Sequence, residues 1–247
     1  MNSELNLPRG PLAPEPSGPS RSPETNAERA FDRGVLAREH LIAAATPIFA
    51  AKGYAAATTR EICEAAGVNI AAIHYYFGDK EGLYRAALLQ PIEEMTAAFG
   101  CFEDPALTFE QAMRMFLAPF IAPSADNLER DVMRIHLREM MEPSDVFREI
   151  TAQVIVPVHD TLAALLARHC GQARPDADIH QLAFATVAMA HDYCMSREFM
   201  KMLAPEVLDR PRAMEQILDR LVGYSRALLD FEIARRRDVK KKERPSR

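Results

Sequence analysis

The 247-residue chain has no tryptophan, only ten glycines, and four cysteines with no C-x-x-C pair among them. Each shortage excludes something. No phosphate-cradling Gly-rich loop is present, and neither G-x-S-x-G nor H-E-x-x-H occurs, so the best-marked enzyme classes are missing. Cys63, Cys101, Cys170 and Cys194 are scattered, which argues against a zinc site or a disulfide framework and suits a reducing cytoplasm. No histidine pair shares a helix with a carboxylate at metal-ligand spacing, so neither a metal nor a cofactor is expected. No charged-then-apolar leader opens the chain and no apolar run reads as a bilayer span. A cytoplasmic protein without membrane contact is the expectation.

Positive charge is also short, with a net charge of −5 and a pI near 5.8. The deficit is uneven. Residues 1–90 carry 9 basic and 10 acidic groups, residues 91–234 carry 13 and 23, and residues 235–247 carry 8 and 2. Any contact of the first part with DNA therefore has a modest non-specific component, because that component scales with the phosphates neutralised. What is plentiful is Ala, Leu, Glu, Arg and Met, all helix formers, within a 48% hydrophobic composition. An all-α chain with one large core or two smaller ones follows.

The most informative stretch runs from Thr58 to Lys80. Thr58 and Glu61 have T-x-x-E spacing, so a helix is predicted from about Thr59. Ile62 and Ala66 share its inner face, and Cys63 supplies the small side chain needed where a second helix crosses closely. Gly67 stands where a left-handed turn residue is required. Asn69 can cap the next helix, Ile73 and Phe77 face inward on it, and Gly78 stops it. Its outward residues Ala71, Ala72, His74 and Tyr75 carry no acid. Small side chains approach a groove floor closely, and the rings with Tyr76 can hydrogen-bond bases or phosphates. Lys80, at the next helix start, is a further phosphate ligand. The pattern reads as a helix-turn-helix with a recognition helix for the major groove of double-stranded DNA.

The run Gly53-Tyr54, Thr58-Thr59-Arg60-Glu61-Ile62, Ala66-Gly67-Val68, His74-Tyr75-Tyr76-Phe77 and Lys80-Glu81-Gly82-Leu83 resembles the DNA-binding domain of the TetR family of transcriptional regulators, from about Val35 to Leu89. Asn69-Ile70-Ala71-Ala72-Ile73 narrows the resemblance to the CecR-like branch. His74 stands where most members have Tyr, and Tyr76 where many have His; both keep a ring and a donor. The resemblance implies an N-terminal three-helix DNA-binding domain and a C-terminal helical domain for ligand binding and dimerisation. It implies a homodimeric repressor that releases a palindromic operator when a small apolar effector binds. It also makes Arg60 the reader of a guanine, with Thr59, Tyr76 and Lys80 on phosphates.

The expected domains are an arm over 1–30, the DNA-binding domain over 31–92, a ligand and dimer domain over 93–234 and a basic tail over 235–247. Six prolines and no apolar periodicity mark residues 1–30 as unstructured, with Arg21 and Arg29 either solvated or reaching a minor groove. A first helix from about Arg33 to Lys52 should kink at Pro47 and end at Gly53. A fourth from Asp79 should continue toward Pro91. Later helices are expected from Thr108-Phe-Glu-Gln111, a second capping box closed by Pro123; from Ala125 to Met141; from Ser144, kinked at Pro157; over 178–203; and from Pro211, as first helical residue, to Arg235. The last two are apolar on several faces and should form the subunit interface, Leu221 included.

Phe116, Phe120, Met133, His136, Met140, Val158 and His191 are the candidate effector-pocket residues. Each has a second reading as plain core or as a satisfied histidine, because periodicity does not separate a pocket lining from a core. Arg235-Arg236-Arg237 and Lys240-Lys241-Lys242 are read as a solvated basic tail following the last helix, with contact to nucleic acid as the alternative. An enzyme or a protein-binding adaptor with an unmarked site remains the alternative to a regulator.

Overall fold

A computed structural model describes residues 26–99, 101–121 and 127–242. Most of the proline-rich arm with Arg21, the helix stop at Pro123 and the end of the basic tail lie outside them. Among the described residues all regular elements are helices, and no strand occurs. The described residues from Glu39 onward pack as one compact unit, and the described residues 26–38 belong to a separate one.

The first four helices among the described residues are α1 (Asn26–Ala56), α2 (Thr59–Ala66), α3 (Ala71–Phe77) and α4 (Lys80–Ala98). α1 begins earlier than expected, so residues 26–30, read as arm, are helical. It runs through Pro47, and its break falls at Gly53, where φ is 77°. The first caps form as the spacing requires. Thr58 Oγ1 accepts from the Glu61 amide at 3.2 Å, but the Glu61 carboxylate turns to Lys52 Nζ at 2.5 Å, so only half of the capping box closes. Gly67 takes φ 64°, ψ 30°, a left-handed geometry that costs other residues more than glycine. Asn69 Oδ1 accepts from the Ala71 amide at 3.1 Å and caps α3. Asp79 Oδ1 accepts from the Gly82 amide at 2.8 Å and caps α4. A side chain at Gly82 would collide with the Phe77 carbonyl, so this glycine permits the tight step from α3 to α4. α4 stays helical through Pro91.

The remaining helices are α5 (Phe109–Ile121), α6 (Asn127–Met141), α7 (Asp145–Ile150), α8 (Val156–His169), α9 (Ala177–Met195), α10 (Arg197–Leu203), α11 (Glu206–Asp209) and α12 (Ala213–Lys242). Thr108 and Gln111 complete their box reciprocally, at 2.9 and 3.2 Å. Ser144 caps α7 through the Phe147 amide. Between α7 and α8, Thr151–Ile155 form a turn of π-helix directly before Pro157. Proline lacks the N–H for the regular ladder and crowds the carbonyl four residues back, and a wider turn relieves both. Asp145–His169 is thereby one 25-residue apolar helical stretch, long enough on composition alone to cross a bilayer. No apolar run of that length was expected; Pro157, expected to kink this helix, follows the π-turn and does not end it. Leu162, Ala163, Leu165, Leu166 and Ala167 of this stretch are buried in the core.

Three further expectations change. The 178–203 helix divides at Ser196 into α9 and α10. Pro211 is not the first residue of the last helix; Arg212 adopts φ 57° and the helix starts at Ala213. The same helix continues to Lys242, so Arg235 and Arg236 do not belong to a solvated tail. Arg235 binds Glu232 and Asp178, and Arg236 binds Glu232 and Asp176, with nitrogen–oxygen distances of 2.5–2.8 Å.

Buried side chains form two clusters. One joins α1–α4 with Ile135 of α6 and Val146, Phe147 and Ile150 of α7. The other joins α5, α8, α9 and α12, and contains Phe99, Phe102, Phe116 and Phe120 in mutual ring contact. Leu221 belongs to this second core and is 2% exposed, so its expected place at a subunit interface is corrected. Full burial of a side chain of this size stabilises the fold by about 1.5–3 kcal/mol.

Candidate nucleic-acid interface

α2 and α3 meet through Ile62, Cys63, Ala66 and Ile73, all buried in the first cluster. What remains outside is the surface expected to face a groove. Arg60, Asn69, Ala71, His74 and Tyr75 are exposed, and Thr59, Ala72, Tyr76 and Lys80 are partly buried. Tyr75 is 82% exposed, far beyond what packing requires of a tyrosine. Its ring meets that of Tyr76 edge-on, with centroids 4.8 Å apart. α3 contains no acidic residue, so no carboxylate on it opposes a phosphate backbone.

Arg60 Nε donates to Glu64 Oε1 at 3.0 Å. The pair is widely exposed and contributes little stability. The bond occupies Nε and leaves Nη1 and Nη2 outside it. The sequence reading did not pick out Glu64 as this partner, although its place four residues after Arg60 on one helix was a usable signal. Lys80 sits differently from a free phosphate ligand. Its Nζ donates to the Ala57 carbonyl at 2.8 Å and lies 4.5 Å from the Tyr54 ring centre. The ammonium thus clasps the end of α1, with two further hydrogens to offer.

The seven expected pocket residues divide. Phe116 and Phe120 fill the aromatic core, with Val158 packed against it. Met140 is 58% exposed on this chain's surface. Met133 is partly buried on α6. His136, on the same helix, donates Nδ1–H to the Val132 carbonyl at 3.0 Å and meets the Phe147 ring edge-on. Its Nε2 is buried without a hydrogen-bond partner. Burial lowers the His136 pKa, against the Val132 carbonyl and Glu139, which favour the proton; His191 on α9 acts in the same direction as burial. A cavity of about 350 Å³ lies elsewhere, lined by His169, Cys170, Gln172, Ile233, Arg236 and Arg237. Among the described residues no cluster of three or more His, Cys, Asp or Glu suits a metal ion.

Residues 41–87 match the family described as bacterial regulatory proteins, tetR family, and residues 109–230 match the C-terminal domain of the HTH-type transcriptional dual regulator CecR. The Shigella flexneri HTH-type transcriptional dual regulator CecR is 33% identical over 156 residues, which span 56% of this chain and 67% of that protein. The chain belongs to the TetR family of transcriptional regulators, in its CecR-like branch. It is a DNA-binding regulator of the helix-turn-helix type, and the enzyme alternative falls with its relatives. A tetR-family regulatory protein from Rhodococcus RHA1 shares the fold at TM-score 0.58 and 26% identity, covering 78% of this chain and 96% of its own. AibR, crystallised with isovaleryl coenzyme A and operator DNA, shares it at TM-score 0.55 and 19% identity, covering 76% and 97%.

Proposed function

We propose that this TetR-family chain is a cytoplasmic homodimeric repressor that binds a pseudo-palindromic operator and releases it when a small apolar molecule occupies its C-terminal helices. The observation that carries the reading is the outward face of α2–α3: Arg60 oriented by Glu64, beside Ala71, Ala72, His74 and the protruding Tyr75. Thr59, Tyr76 and Lys80 flank it as phosphate ligands, and Asn69 sets the start of α3. Residues 31–92 carry the DNA contact, 93–234 the effector and dimer contacts.

Two copies related by a two-fold axis present two recognition helices, and half-sites about 34 Å apart match one turn of DNA. Phe184 on α9 and Tyr224 and Phe231 on α12 are large, exposed side chains, and a second copy would cover them. For the effector, His136 with its unpartnered Nε2, His191 and Met133 are the polar and adaptable groups of α6 and α9. AibR supports the coupling, as a protein of this fold crystallised with both an acyl coenzyme A and operator DNA. A hundredfold release requires the effector to prefer the non-binding state by about 2.7 kcal/mol.

The test is a gel shift of the full chain on duplexes from its own upstream region across a salt series. Selective binding that weakens with salt supports the reading. Equal affinity for scrambled duplexes sinks it. The relative's designation as a dual regulator favours one further reading, that the same dimer also activates. Transcript levels in a deletion strain separate the two, since a repressor's targets rise and an activator's fall.

A further inference from the structure

His74 Nδ1 lies 2.7 Å from the Gly78 carbonyl oxygen. A carbonyl oxygen only accepts, so Nδ1 carries the hydrogen and donates it. In the neutral imidazole this leaves Nε2 as a bare acceptor. The ring is held at both ends, by its own backbone on α3 and by the carbonyl of Gly78, whose φ of 80° turns the chain at the helix end. His74 is exposed on the same face as Tyr75, so Nε2 is presented outward rather than spent inside the fold.

We propose that His74 is a base-reading acceptor: its Nε2 accepts from the exocyclic amino group of an adenine or a cytosine in the major groove. This rests on the DNA-binding reading above and deepens it. The major groove offers only two kinds of base donor, adenine N6 and cytosine N4; guanine there shows acceptors, and thymine shows an acceptor and a methyl group. A tyrosine hydroxyl can rotate to donate or accept, whereas this imidazole has its tautomer fixed by Gly78. The substitution of histidine for tyrosine therefore narrows the choice of base. It also assigns complementary tasks to one surface: the Arg60 fork seeks the acceptors of guanine, and His74 seeks a donor.

The experiment uses the full chain at pH 8 and begins with selection of its preferred duplex from a randomised pool. At each preferred adenine the base is replaced by purine, which lacks the N6 amino group. At each preferred cytosine it is replaced by pyrimidin-2-one, which lacks the N4 amino group. One such deletion should weaken the parent protein about tenfold and leave H74A indifferent, since each removes one partner of the same bond. The position at which this happens identifies adenine or cytosine. H74Q should recover the preference if the base is adenine, because glutamine pairs with adenine N6 and N7. H74A also loses its hold on Gly78, which is a structural effect; such an effect lowers affinity for all duplexes alike and leaves the amino deletion as costly to H74A as to the parent. That additive result overturns the proposal, as does a salt slope for H74A reduced by about 1, the mark of a phosphate contact. A parent protein that selects no sequence overturns the DNA reading and this proposal together. Selection without coupling to His74 overturns only the proposal.

Discussion

The phenol of Tyr84 donates to the carboxylate of Glu139 at 2.5 Å, in the interior and between residues 55 positions apart. The other oxygen of Glu139 accepts from the Ser144 amide at 2.7 Å, so one buried carboxylate joins α4, α6 and the start of α7. Burial first, and then Glu139, push the Tyr84 phenol well above its ordinary range, so it remains a donor. Nearby, Arg85 pairs with Glu149 at 2.7 Å. α4 follows directly on the recognition helix. His136 lies one turn before Glu139 on α6, so the helix that carries it is tied to α4 by this bond.

Tyr84→Phe removes the donor and leaves a buried carboxylate oxygen without it. The expected loss is about 1–3 kcal/mol of stability, read from urea denaturation. A double-mutant cycle with Glu139→Gln isolates the pair. Unchanged stability in the single variant would show that the bond is not holding the helices together.

Arg60→Ala and Lys80→Ala should fail in different ways. The Arg60 variant loses about 1–3 kcal/mol of operator binding and relaxes preference at one base. The Lys80 variant weakens all duplexes alike and lowers the salt slope by about 1. Lys80 also clasps the Ala57 carbonyl, so its variant should melt earlier than the parent. Equal discrimination by the Arg60 variant and the parent, in competition gel shifts, would remove Arg60 from the readout.

Phe231→Arg and Leu221→Arg separate the two faces of α12. Phe231 is 67% exposed, so its variant should fold but sediment as a monomer with weakened operator affinity. Leu221 is in the core, and its variant should lose helical content instead. A dimer that survives Phe231→Arg moves the interface to other residues.

Acid should destabilise the fold in two steps. His136, His159, His169 and His191 all have lowered pKa values, with burial as the first cause in each. Unfolded, such histidines take up protons near pH 6.5; folded, they resist until lower pH. Between those values the unfolded chain binds more protons, so stability rises with pH there and is lost as pH falls below about 6.5. Asp176 and Glu232 are lowered by Arg236 and Arg235, and their contribution is lost only as pH falls through the carboxylate range. Melting temperature against pH should show the first step between pH 7 and 5, smaller in a His136→Gln variant. A flat profile over that range would contradict the lowered pKa values of these imidazoles.

The sequence by itself determined the features that depend on residues within a few positions of one another. The Thr58, Asn69, Asp79, Thr108 and Ser144 caps, the left-handed Gly67 and the α2–turn–α3 motif follow from local spacing, because each donor and acceptor is at most three residues apart. Periodicity likewise placed Ile62 and Ile73 inward and His74 and Tyr75 outward, while Arg60 came from the family resemblance. Only the tertiary structure decided which apolar face of α12 is core, since Leu221 and Phe231 lie on a helix apolar on more than one side, and hydrophobicity alone does not say which side meets α5. Only it joined Tyr84 to Glu139, and Arg236 to Asp176 across 60 residues, closing the run that composition had marked as a free basic tail. Charge and apolarity are properties of single residues, whereas the partner that satisfies them is set by how the helices pack.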